Sequence, residues 1–79
     1  MLEKPKATEQ HRHLFRLFKE AIEAERGAQR LYAEARDKCD DRGLKRILEG
    51  FRKDEAKHER VLLQRYTKYR AKFAADDES

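Results

Sequence analysis

Three residues in this chain carry side chains that bind cations and stand where a helical pattern asks for an apolar residue: Glu25, Glu55 and His58. Glu55 and His58 lie one helical turn apart as Glu55-x-x-His58, and Glu25 precedes Glu55 by 30 positions. Carboxylates buried together repel one another and lose hydration, so without a counterion they are costly or take up protons. A bound cation removes that difficulty. Two carboxylates and an imidazole suit iron(II), with manganese or, less specifically, zinc as substitutes. The first expectation is therefore that these three residues are metal ligands.

The elements that must position them are long helices. Thr8 is the expected N-cap of the first, with Glu9 in its first turn, where the helix dipole favours a carboxylate. An apolar seam then runs through Leu14, Phe18, Ala21, Glu25, Ala28, Tyr32, Ala35 and Cys39 in steps of 4, 3, 4, 3, 4, 3 and 4. Asp40-Asp41-Arg42-Gly43 is the interior turn signal, with acidic residues suited to capping a second helix. The second seam runs Leu44, Leu48, Phe51, Glu55, His58, Leu62, Tyr66, Tyr69 and Phe73. These patterns predict an all-α chain and a single domain, 1–79. It comprises a helix over about 8–39, a turn at 40–43 and a helix over about 43–74, folded as an antiparallel hairpin. Residue 40 is midway between Glu25 and Glu55, so a turn there sets the two glutamates level, with His58 one turn further on the same face.

One hairpin supplies two carboxylates and one histidine, too few for a two-metal centre. Two hairpins about a two-fold axis supply four Glu and two His, the ligand set of a ferritin-like four-helix bundle. Four carboxylate charges also balance two divalent ions. The sequence thus predicts a homodimer with two irons at its interface, dimerisation and metal binding supporting each other.

The stretches Glu25-Arg-Gly-Ala-Gln-Arg-Leu-Tyr32 and Phe51-Arg-Lys-Asp-Glu55-Ala-Lys-His58 resemble the rubrerythrin and ferritin-like superfamily. The two-helix length and the 30-residue spacing look most like the encapsulated ferritins, over roughly Leu14 to Tyr69. The resemblance implies a ferroxidase, which oxidises iron(II) with dioxygen at a di-iron centre shared by two subunits. It further implies dimers assembled into a ring, a decamer in that family, and storage of the product inside an encapsulin shell. By position Glu25, Glu55 and His58 match the family's metal ligands, and Tyr32 matches its nearby tyrosine, giving a catalytic set of Glu25, Glu55, His58 and Tyr32. The sequence departs from the family at its end: Ala74-Ala-Asp-Asp-Glu-Ser79 is acidic where those proteins carry a short apolar docking tail. Ala24 and Gly27 stand where the family has acidic residues that hold further cations.

Composition narrows the alternatives. With 79 residues, 46% of them charged, the chain has little material for a self-sufficient core. The net charge is +4, yet basic residues interleave with acidic ones, as in Arg52-Lys53-Asp54-Glu55, which reads as solvated helix faces and not as a nucleic-acid surface. The lone Cys39 excludes an internal disulfide and fits a reducing compartment. No apolar run approaches membrane-spanning length and no signal peptide opens the chain, so the expectation is a cytoplasmic protein, free or shell-enclosed. Met1 to Ala7 reads as a mobile leader, His11 and His13 as helix-start histidines, and Glu20, Glu23, Glu34 and Glu59 as surface residues. Tyr32 has two readings, a hydrogen-bond donor to a ligand carboxylate or a core tyrosine. Two other functions stay open: a metal-free hairpin that dimerises as an interaction module, and a rubrerythrin-like di-iron peroxidase.

Overall fold

A computed structural model describes residues 3–74. Two helices, α1 (Glu9–Lys38) and α2 (Arg42–Arg70), run antiparallel, and the described residues contain no strand. Neither helix is long and apolar enough to cross a membrane. Each start is fixed by local chemistry. Thr8 accepts the His11 backbone N–H on its hydroxyl while His11 Nδ1 accepts the Thr8 backbone N–H, a reciprocal cap that satisfies two otherwise orphaned donors. Asp41 Oδ1 accepts the Leu44 N–H at 2.8 Å and starts α2. A Cβ at Gly43 would lie 3.3 Å from that capping oxygen, so glycine leaves it room. By contrast, a Cβ at Gly27 would meet only the Arg30 guanidinium, at 3.8 Å, and one at Gly50 nothing. The close helix approach that would explain Gly27 is not present within the hairpin.

Packing is concentrated at the open end. Phe15 is fully buried, and the rings of Tyr66, Tyr69 and Phe73 stand edge-on to it at 5.7–6.1 Å. The Arg70 guanidinium closes over Phe15 at 4.8 Å. Ile22 and Ala7 complete the buried apolar set. The expected mobile leader is docked where it is described: Pro5 O accepts the Ala74 N–H at 2.8 Å, and Ala7 O accepts from Arg12 at 2.9 Å. α2 ends at Arg70, short of the expected 74, because the chain turns there to carry Phe73 onto Phe15 and His11. The expectation for 75–79 falls outside the described residues.

Two differences from the sequence-based expectation bear on the site. The residue facing α2 at the start of the seam is Phe15, while Leu14 stays 39% exposed. The pairs Arg26–Glu59, Arg36–Glu49 and Phe18–Tyr66 are each centred near residue 42, two positions later than the expected 40. Glu25 is therefore closest in level to His58, with Glu55 one turn toward the bend.

The molecule measures 59 × 20 × 15 Å, and its radius of gyration of 17.4 Å exceeds the roughly 12 Å of a compact chain this long. Leu14, Leu17 and Leu31 on α1 and Leu44, Ile47, Phe51 and Val61 on α2 remain exposed. Their spacings of 3 and 14 on α1 and of 3, 4 and 10 on α2 place them along one stripe of each helix, beside the stripe that meets the partner helix, while the exposed Leu63 lies off it. One hairpin leaves a second apolar face open.

Candidate metal centre

Glu25 lies near the middle of α1, and Glu55 and His58 near the middle of α2, on the edge between the closed and open faces. One ligand atom from each of the three falls within 4.8 Å of the other two. His58 Nδ1 is 2.7 Å from Glu55 Oε1 and 3.4 Å from Glu25 Oε2. The two glutamate side chains are largely covered, at 23% and 21% exposure, whereas His58 is 58% exposed and stands with Ile47 and Phe51 on the open side. The three residues picked from the sequence are thus brought to one place by a thirty-residue loop of chain.

The electrostatics of the group are those of two carboxylates crowded against one imidazole. Glu25 Oε2 is buried and makes no hydrogen bond. Burial pushes the Glu25 carboxyl above its ordinary 4.5; the neighbouring Glu55 carboxylate pushes in the same direction and His58 opposes. The hydrogen bond to Glu55 holds the His58 imidazole above its ordinary 6.5, and the negative charge of Glu25 adds to this while desolvation opposes it. Glu25 Oε2 thus has no hydrogen-bond partner and faces His58 Nδ1 at 3.4 Å. The donors present, carboxylate oxygens and one imidazole nitrogen, fit iron(II), manganese(II) or zinc(II).

Tyr32 does not join the group. It lies two turns from Glu25 toward the bend, its ring packs on Phe51 at 5.4 Å and its hydroxyl makes no hydrogen bond. The core reading of Tyr32 describes its place in the hairpin. His11 is taken up by the α1 cap and by stacking on Phe73 at 4.3 Å, and the exposed His13 is on the same end, away from Glu25, Glu55 and His58.

One residue read from the sequence as surface lies at the site. Glu59, next to His58, receives Arg26 Nε on one oxygen and Gln29 Nε2 on the other, both at 2.6 Å, and its side chain is 22% exposed. Arg26, then Gln29, holds its carboxyl below the ordinary range. Gln29 also donates to the backbone oxygen of Glu25 at 3.3 Å. The signal for this contact was present: Gln29 and Glu59 repeat, one turn on, the 30-residue separation of Glu25 and Glu55.

No protein-family model, curated protein or solved structure matches this chain. What the site can do rests on its donor set and on the hairpin that carries it.

Proposed function

We propose that two copies of this hairpin pair through their open apolar faces into a ferritin-like four-helix bundle and act as a ferroxidase, taking iron(II) at a centre built from Glu25, Glu55 and His58 of both copies. The observation that carries the reading is the buried, unbonded Glu25 Oε2 set beside Glu55 and His58 at mid-helix. The oxygen's charged neighbour, His58 Nδ1 at 3.4 Å, does not hydrogen-bond it, and an unsatisfied buried acceptor costs about 1–3 kcal/mol, a cost that a bound cation would remove. The exposed leucines, Ile47, Phe51 and Val61 support the pairing, since one hairpin gives its apolar residues no other cover.

In this reading each residue has a task. Glu25 and Glu55 would supply the carboxylate oxygens that hold the metal, and their four charges in the pair would offset two divalent ions. His58 supplies an imidazole nitrogen from the open side, where a second copy would seal it from water. When loaded, such a centre supplies one-electron oxidation of each iron(II), with dioxygen as electron acceptor. The chain's own contribution is to hold ligand atoms in place and to leave coordination positions open. Larger rings and an encapsulin shell come only from the family resemblance and extend the proposal accordingly.

Iron(II) oxidation under air tests the activity. The wild-type chain should generate iron(III) well above the rate in buffer, Glu55→Ala should return it to that rate, and dioxygen should outpace peroxide as oxidant. A faster reaction with peroxide would transfer the chain to the peroxidase reading. Equal rates for wild type and Glu55→Ala would favour the metal-free interaction module.

A further inference from the structure

The apolar packing that fixes the two helices against each other lies at the terminal end, around Phe15 and Ile22. Between Ile22 and the bend no apolar side chain is buried. The ligands sit within that sparsely packed half, where sliding or rotating one helix by a fraction of a turn would part Glu25 from His58. The Tyr32–Phe51 ring contact and polar contacts across the interface oppose this, and one polar set is at the level of the ligands. Glu59 has both oxygens engaged by α1 donors, Arg26 and Gln29, each at 2.6 Å. These donors are one and four positions after Glu25, and Gln29 reaches back to the Glu25 carbonyl at 3.3 Å. The acceptor, Glu59, directly follows His58.

We infer that Glu59, clamped by Arg26 and Gln29, is the positioning residue of the metal centre: it locks the backbone at Glu25 to the backbone at His58, so that ligands on two helices meet at one point. This role rests on the metal-centre reading and adds a residue outside the ligand set. Both of its oxygens are occupied on the closed side of the hairpin, so Glu59 acts through the ligands without touching the ion. Outer carboxylates that orient metal ligands commonly alter metal affinity by about 10–100-fold when removed.

A second cross-helix carboxylate provides the control. Glu49 accepts from Arg36 on α1 and from Arg52 on its own helix, and Arg36 is 11 positions from Glu25, about 16 Å along the axis. Glu49→Gln weakens the hairpin by the same kind of change without touching the backbone beside a ligand. The experiment is an anaerobic cobalt(II) titration of the full chain, read by visible absorption, on wild type, Glu59→Gln and Glu49→Gln, with helicity checked by circular dichroism. The expected result is at least a tenfold loss of cobalt affinity and a changed cobalt spectrum in Glu59→Gln, with Glu49→Gln matching wild type. Equal behaviour of the two variants, whether both unchanged or both weakened alike, would overturn the positioning role while leaving the metal centre standing. Absence of cobalt binding by wild type would overturn the centre and this inference together. Should Glu59→Gln lose helicity, the charge-swapped pair Arg26→Glu/Glu59→Arg takes its place. Recovery of affinity there supports the clamp, and persistent loss in a helical protein contradicts it.

Discussion

Glu25 Oε2 and His58 Nδ1 lie 3.4 Å apart across the two helices, yet no hydrogen bond joins them. His58 spends its Nδ1 on Glu55, at 2.7 Å, and the Glu25 oxygen is left buried without a hydrogen-bond partner. A buried carboxylate oxygen left without a hydrogen bond costs stability, and in the proposed metal centre an ion would remove that cost.

Replacing Glu25 by leucine should therefore stabilise the metal-free hairpin. The oxygen has no hydrogen bond to lose, and its side chain retains 23% exposure, so the gain lies at the low end for removing an unsatisfied buried acceptor, about 1 kcal/mol. For a chain this short that corresponds to a rise of about 5 °C in Tm. The same variant should show no further rise when iron(II) is added, whereas wild type should. Thermal melts with and without metal check both halves.

Iron(II) affinity should fall as the solution is acidified. Burial raises the Glu25 carboxyl from its ordinary 4.5 and the hydrogen bond to Glu55 raises the His58 imidazole from its ordinary 6.5, so a binding cation competes with protons at both groups. Affinity should drop by up to about tenfold per pH unit for each proton displaced. The metal-free fold responds in the opposite sense. A raised folded pKa gives stability that is complete below the unfolded value and is lost as pH rises through the folded one. The empty hairpin should accordingly lose stability from pH 6 to pH 8 while metal binding gains. Calorimetric titration and melts across that range report the two slopes.

Glu49 governs a separate pH window. Arg52, and then Arg36, holds its carboxyl at about 2, below its ordinary 4.5. A depressed pKa gives stability present above 4.5 that is lost as the pH falls toward 2. Glu49→Gln should remove part of the acid-induced fall in Tm between those limits and leave the slope between pH 6 and pH 8 as in wild type. Melts over the acid range measure it.

The open face should decide association. Ile47 is 52% exposed and takes no part in the ring packing at the closed face. Ile47→Asp places a charge in the stripe that a second copy would cover, so it should yield a monomer by sedimentation at micromolar concentration where wild type sediments as a dimer or larger. It should also lower iron affinity by at least about tenfold, because binding and pairing are linked. Unchanged sedimentation in a dimeric wild type would move the interface elsewhere.

Much of this was legible in the sequence, for identifiable reasons. Thr8 and Asp41 announce both helix starts by cap chemistry, and the 3–4 spacing of apolar residues defines both helices. Glu25, Glu55 and His58 stand out because a charge on an apolar seam needs an explanation, and the fold brings them together. What the sequence could not assign was which of two adjacent stripes each helix turns to its partner. Leu14, Phe15, Leu17 and Phe18 offer a face wider than one neighbour can cover. A strict heptad favours Leu14, but the ring cluster of Tyr66, Tyr69 and Phe73 selects Phe15. That rotation leaves Glu25 on the border of both faces. The shift of the hairpin centre to about residue 42 has the same origin, since aromatic packing and the Arg26–Glu59 and Arg36–Glu49 pairs set the register and the bend adjusts to them. Glu59 reads as solvated because it stands among lysines and arginines, although its 30-residue separation from Gln29, the same as that of Glu25 and Glu55, carries the signal of its contact.

The most direct measurement is a crystal structure of the chain grown anaerobically with iron(II). The expected result is two copies related by a two-fold axis, two metal ions between them, and Glu25, Glu55 and His58 of both copies as ligands, with the Glu55–His58 hydrogen bond opened. A chain that stays metal-free at these residues under saturating iron, with His58 still bonded to Glu55, would contradict the shared metal centre.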